Sequence, residues 1–257
     1  MALIDDVHQL QAVYGTGRED TRAMCNDADN GFSLLVNWNL LANRTHTLRA
    51  LADGVEFARV SFTVSNLGSE FLEGLSGECT VPNFPQSGTN TTVHWDESLQ
   101  NFVIGPNQSS GGNTGVSGNA TVKLENPAGG STQSGVGVVS GWACQAGNVE
   151  LVIDGTIRLQ AGYGTGREDT RSVCNDTNNG FALLVNWNLL PKGTHTLAVV
   201  IDGSEVANVP FTVTNLGVQF LTGVSGGCSV ADFPQPGKTT NVRWDEGVQR
   251  FGIVGVE

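Results

Sequence analysis

The sequence repeats itself. The string YGTGREDTR at residues 14–22 returns at 163–171, and LLVNWNLL at 34–41 returns at 183–190. Both recurrences fall at an offset of 149. At that offset residues 2–104 align with 151–253 without a gap, with 62 identities over 103 positions. A duplication this regular encodes one fold twice, so it must be read before any local pattern. The chain's 257 residues suit two medium-sized units. The copies are unequal, because Met1 aligns with Glu150. The segment VGVVSGWAC at 136–144 therefore has no counterpart in the first copy. We place an N-terminally incomplete unit at 1–106, a Gly/Ser/Asn-rich connector at 107–125 and a complete unit at 126–257. The connector reading rests on GPNQSSGGNTGVSGN at 105–119, a composition typical of flexible linkers.

Within the complete unit, short apolar and β-branched runs are spaced by Gly, Asp and Asn. Strands are expected at 136–143, 149–154, 157–161, 181–188, 194–201, 205–213, 240–245 and 248–254. Asp202-Gly203 between two of them is a hairpin signal. Helical periodicity is weak, and the Gly density argues for strand even in FALLVNWNLL. The expected fold class is all-β: two tandem antiparallel sandwiches, the first lacking its opening strand.

Composition closes off several functions. The formal charge is −12 with only three Lys, so no basic surface is available for nucleic acid or an anionic membrane. No run of 18 apolar residues is present to insert into a bilayer. Hydrophobic residues at 39% supply a core and argue against disorder. Asp5 and Asp6 stand where an export signal carries basic and apolar stretches.

GWAC at 141–144, YGTGREDTRSVCNDTNNGF at 163–181, NWNLLPKGTHTLAVVIDG at 186–203 and FTVTNLG at 211–217 together resemble a bacterial immunoglobulin-like repeat module of secreted and surface proteins. The resemblance implies Ig-like sandwiches, an extracellular or cell-surface location, and a disulfide between Cys144 and Cys174. A bond closing that loop contributes roughly 3 kcal/mol on the chain-entropy model. Cys79 and Cys228 are matched between the copies. Either each has the same local role, or the two join different modules.

Other candidate sites are weighed against plainer roles. Asp27, Asp29 and Asp176, with nearby Asn and Gly, offer hard oxygen ligands for calcium, but their spacing is not that of an EF-hand and they are ordinary turn formers. No other cofactor is expected. Trp95 and Trp244, in polar WDE strings, are the candidates for a partly exposed sugar-stacking face, whereas Trp38 and Trp187 in apolar runs read as core. GTGRED lacks the strand and helix that a dinucleotide fingerprint needs, so Arg18 and Arg22 read as holding a loop with Glu19 and Asp20. His46 and His195 have no nucleophile nearby. Asp96-Glu97 and Asp245-Glu246 point to opposite strand faces, a poor geometry for paired-carboxylate catalysis. No enzyme is expected.

The missing segment carries the functional expectation. A sandwich without that strand exposes an unpaired edge and part of its core, and leaves Cys25 without the partner that Cys174 has. Three resolutions are open: the start at Met1 is a truncation that leaves the first copy weak, the first copy folds with a local rearrangement, or, the leading expectation, a neighbouring chain fills the gap by strand donation. The donor would be ATVKL at 120–124, with Ala120, Val122 and Leu124 on one face, or a swapped strand containing Val136, Val138 and Val139. In the swapped case Cys144 would bond Cys25 of the neighbour. The expected function is an extracellular structural or cell-surface protein (a fibre or filament subunit, stalk or adhesin segment) that self-associates. The alternative is a pair of carbohydrate-binding modules.

Overall fold

A computed structural model describes residues 1–16, 22–26, 30–34, 36, 38–69, 71–97, 99–105 and 121–257. It is nearly all β. The first copy contributes β1 (Ala2–Ile4), β2 (His8–Leu10), β3 (Val13–Thr16), β4 (Gly31–Ser33), β5 (Thr45–Ala52), β6 (Val55–Thr63), β7 (Glu78–Val81), β8 (Thr91–Asp96) and β9 (Asn101–Ile104). Then come β10 (Val122–Asn126), β11 (Thr132–Gln133) and β12 (Val136–Ala143). The second copy continues with β13 (Val149–Ile153), β14 (Ile157–Gln160), β15 (Gly162–Thr165), β16 (Gly180–Asn186), β17 (Gly193–Ile201), β18 (Ser204–Val213), β19 (Gly227–Ala231), β20 (Thr239–Asp245) and β21 (Arg250–Val256). Two single-turn helices, α1 (Arg22–Cys25) and α2 (Arg171–Cys174), end on matched cysteines.

In the second copy, the sheets β10-β12-β16-β15 and β11-β18-β17-β13-β14 close on one hydrophobic cluster. Pairing is antiparallel except between β11 and β18. The cluster follows from alternation: Ala207, Val209, Phe211 and Val213 point inward from β18, and Leu197 and Val199 from β17. The Asp202-Gly203 turn between β17 and β18 has positive φ at both residues, 50° and 84°, as a two-residue turn matched to strand twist requires. Asp53-Gly54 repeats it between β5 and β6, at 49° and 81°.

The first copy forms the equivalent sheet β2-β1-β5-β6, and among the described residues its other sandwich sheet is the two-stranded β3-β4. Among the described residues its cluster has three buried members, Ile4, Leu41 and Val64, against nineteen in the second copy.

The last three strands of each copy leave their own sandwich. Sheets β7-β8-β9 and β19-β20-β21 share one core drawn from both copies. The contacts are reciprocal. Phe84 meets Trp244 and Phe251, each at 5.1 Å between ring centroids, while Phe233 meets Trp95 at 5.1 Å and Phe102 at 5.5 Å. Gly77 lies against Phe233 and Val230, and Gly226 against Phe84 and Val81. A Cβ at either glycine would come within 3 Å of a side chain of the other copy. Cys79 is bonded to Cys228 across this unit.

These placements depart from the sequence reading in three respects. Trp95 and Trp244 are buried in the shared core rather than partly exposed, because the residues at i−2, Val93 and Val242, share their inward strand face. Residues 121–126 belong to the second copy's sheet: Val122 and Leu124 are buried and paired with β12, so they are not spare for a neighbour. Val136, Val138 and Val139 are likewise paired with β16 of their own chain. Ala120 and most of the expected connector lie outside the described residues.

Candidate functional site: the open edge of the first copy

The second copy shows what the repeat looks like when complete. β12 pairs with β16 over seven residues, placing Gly137 opposite Val185, Val139 opposite Leu183 and Gly141 opposite Phe181. Alternate β12 residues face inward. Val139 and Ala143 are wholly buried. Gly137 lies on the Trp187 indole and Gly141 on the Phe181 ring, so closely that a Cβ at either would fall 2.5 Å from ring atoms.

The far end of β12 is fastened in two ways, and the adjoining β10 in a third. The Tyr163 hydroxyl donates to the Ala143 carbonyl at 2.7 Å and accepts from the Ala146 N–H at 3.2 Å. Cys144 is bonded to Cys174 at the end of α2. Arg167 bridges Asp169 and Glu125 of β10, and these carboxylates raise its guanidinium pKa further despite burial. Burial of the Tyr163 ring pushes its phenol pKa up, which keeps the hydroxyl a donor.

The first copy carries matching residues without the strand. Among the described residues β4 is hydrogen-bonded to β3 alone. Phe32 is 56% exposed where Phe181 is 1%, Trp38 43% where Trp187 is 0%, and Val60 53% where Val209 is 1%. Tyr14, the counterpart of Tyr163, is 71% exposed. Cys25, the counterpart of Cys174, is an exposed free thiol. Phe57 packs edge-on against Phe32 at 5.7 Å, and Trp38 against Phe62 at 5.0 Å, so the exposed rings sit in packed pairs rather than as isolated side chains. A large apolar patch of this kind marks an interaction site. Sequence reasoning located the gap and Cys25. It placed Trp38 in the core, and the reason it fails is that Trp187 is covered by β12, whereas no such strand stands against Trp38 among the described residues.

The other candidates have local roles. Asp176 accepts from the backbone N–H groups of Thr177 and Asn178, the bonding of a turn former. Asp27, Asp29, Arg18, Glu19 and Asp20 lie outside the described residues, and among those described no three His, Cys, Asp or Glu converge. Asp96 accepts from the Leu99 N–H and Glu97 from the Gly74 N–H; Glu246 repeats the second bond with Gly223. Gln100 and Gln249, which the sequence reading passed over, clasp the Leu72 and Leu221 backbones through both amide atoms. Their position one turn beyond each WDE string was the available signal.

His195 donates to Asp154 at 2.7 Å and to the Pro191 carbonyl at 2.8 Å. Acceptors on both ring nitrogens suit the imidazolium, so although burial opposes the charge, Asp154 and the carbonyl raise the His195 pKa. His46 sits in the same way between Asp5 and the Ala42 carbonyl. Bonds from the Thr47 N–H and from His46 lower the Asp5 pKa to about 2.

No family model and no curated protein matches the chain. Solved structures give remote likenesses. An endo-β-1,4-mannanase from Thermotoga petrophila is 12% identical over 37% of this chain, with a TM-score of 0.27. Dimeric latent PorU from Porphyromonas gingivalis is 14% identical over 95% of it, with a TM-score of 0.24. This chain spans 20% and 22% of their respective lengths.

Proposed function

We propose that the chain is a structural component of an extracellular or cell-surface assembly, a stalk or fibre segment built of Ig-like modules, and that it meets neighbouring polypeptides through the open edge of its first copy. The observation that carries this reading is the contrast within one molecule: the same side chains are buried in one copy and solvent-facing in the other. Burying the exposed face recovers about 25 cal/mol per Å² of apolar surface. Two disulfides support an oxidising location. Sedimentation of the 27.0 kDa chain across micromolar concentrations tests the reading. Association that weakens in a Phe32→Asp variant is expected. A monomer at every concentration overturns self-assembly.

A further inference from the structure

The three-stranded sheets β7-β8-β9 and β19-β20-β21 meet as equals. Phe84 stands on Trp244 and Phe251, and Phe233 on Trp95 and Phe102; shifting every number by the repeat offset of 149 turns one set of contacts into the other. Contacts of this reciprocal kind define an isologous, two-fold interface. Its residues are also the same. Val81, Phe84, Val93, Trp95, Phe102 and Ile104 each recur unchanged at that offset, and Leu75 against Val224 at the margin exchanges one aliphatic side chain for another. The two halves differ at Thr80 and Ser229, Thr92 and Asn241, His94 and Arg243, and these positions alternate with the inward ones, so they fall on the other strand face. No buried residue of this core distinguishes the first half from the second. A face that complements its own duplicate also complements itself.

The cysteines add a second sign. Cys79 and Cys228 are equivalent residues with Cα atoms 5.9 Å apart, so the bond lies at the two-fold axis. A residue at such an axis faces its own twin whenever two identical halves pair.

We propose that the three-stranded half ending each copy is a homotypic coupler: its inner face accepts the same half of a second copy of this chain as well as the other half of its own, and the axial cysteine seals whichever pair forms. The inference does not depend on the open edge of the first copy. Within one chain the tether raises the effective concentration of the in-chain partner and favours it. When that partner is withdrawn, an identical half on a second chain is the complement. The fit is selective. Gly77 lies beneath Phe233 and Gly226 beneath Phe84, so closely that a Cβ at either would meet the ring within 3 Å. In a pair of second halves, each Gly226 takes the place that Gly77 has now. An unrelated sheet with a side chain there does not dock.

The covalent step needs an oxidant, and a small disulfide such as oxidised glutathione suffices. One Cys228 thiolate attacks oxidised glutathione and releases a glutathione thiolate. The Cys228 thiolate of the second chain then attacks the protein sulfur of that mixed disulfide and releases the other. Two thiols lose two protons and two electrons, and one glutathione disulfide is reduced.

The test uses full chains at micromolar concentration in a glutathione redox buffer, all carrying Cys25→Ser so that the exposed thiol adds no crosslink. Cys79→Ser/Phe84→Asp disables the first half, because docking it would bury a charge against Trp244 and Phe251. The expected product is a dimer linked Cys228 to Cys228, formed at least about ten times faster than by a control that also carries Phe233→Asp. The mirror variant, Cys228→Ser/Phe233→Asp, should pair through Cys79. Protected β13 and β17 amides establish that each chain has folded, and if one variant does not fold the other decides. A folded variant that crosslinks no faster than the control overturns the proposal. Pairing in a mixture of the two variants but in neither alone also overturns it, since the face then accepts only the unlike half. Adding Phe32→Asp should leave the rate unchanged; a loss of pairing assigns the association to the open edge and ends the coupler.

Discussion

Removing the Cys79–Cys228 bond with a Cys79→Ser/Cys228→Ser double variant should loosen the shared core and little else. The bond joins residues 149 apart, and closing a loop of that length removes about 5 kcal/mol of denatured-state entropy on the chain-entropy model. The Cys144–Cys174 bond lies inside that loop and shortens it by 30 residues, which changes the figure by only about 0.2 kcal/mol because the dependence is logarithmic. Both sulfurs are half-buried, so the replacing hydroxyls add little desolvation cost. The eleven buried residues of the shared core still hold the two sheets together. The variant should therefore fold, with a weakened unit. Native-state hydrogen exchange resolves this unit by unit. Amides of β8 and β20 that open only with the whole unit should lose protection by more than about a thousandfold, the equivalent of 5 kcal/mol at 1.4 kcal/mol per decade. Amides of β13 and β17, in the other core, should keep theirs. An unchanged β8 and β20, or an equal loss in both cores, refutes the reasoning.

Three further outcomes are expected. Trp187→Ala should cost about 3–5 kcal/mol in a calorimetric or denaturant measurement, the usual cost of deleting a buried aromatic, whereas Trp38→Ala should cost less than half as much until a donor strand covers the site. Gly226→Val should destabilise the shared unit by about 1–3 kcal/mol through overpacking against Phe84, visible as a lower Tm, and Gly77→Val should match it through Phe233. The His195–Asp154 pair should stabilise most between the ordinary carboxylate value of 3.8 and the ordinary imidazole value of 6.5. The raised His195 pKa gives stability that is complete below 6.5 and is lost as pH rises through the folded value. The lowered Asp154 pKa gives stability that is complete above 3.8 and is lost as pH falls. A His195→Gln variant with the same pH–stability profile as the parent removes this account.

What the sequence disclosed follows from where each signal resides. Most strand positions from β12 to β21 were legible because alternation and turn residues are local, and β12 itself runs over the expected 136–143, whereas the short, Gly-containing β15 and β19 were not expected. The gap in the first copy was legible from the alignment alone. The shared core was not, because no local pattern says that Phe84 packs on the other copy's Trp244. One sign was present: the separation of Cys79 and Cys228 equals the repeat offset, as expected for residues facing each other across an approximate two-fold relation between copies. Burial of Trp95 and Trp244 was hidden by their polar neighbours, though Val93-x-Trp95 and Val242-x-Trp244 already carry the period of two.

The Cys79–Cys228 bond also sets how the chain bears tension. A pull between residues 1 and 257 runs along the backbone to Cys79, crosses the sulfur bridge to Cys228 and continues to the far end. The intervening backbone, with the whole β10–β18 sandwich, sits in a bypassed loop and carries no force. Only the first copy's sandwich and the shared unit lie in the line of load. Reducing the bridge would insert the loop into that line and add about 500 Å of extensible contour at roughly 3.5 Å per residue. A single bond's redox state thus decides whether the second copy is a shock absorber or a bystander.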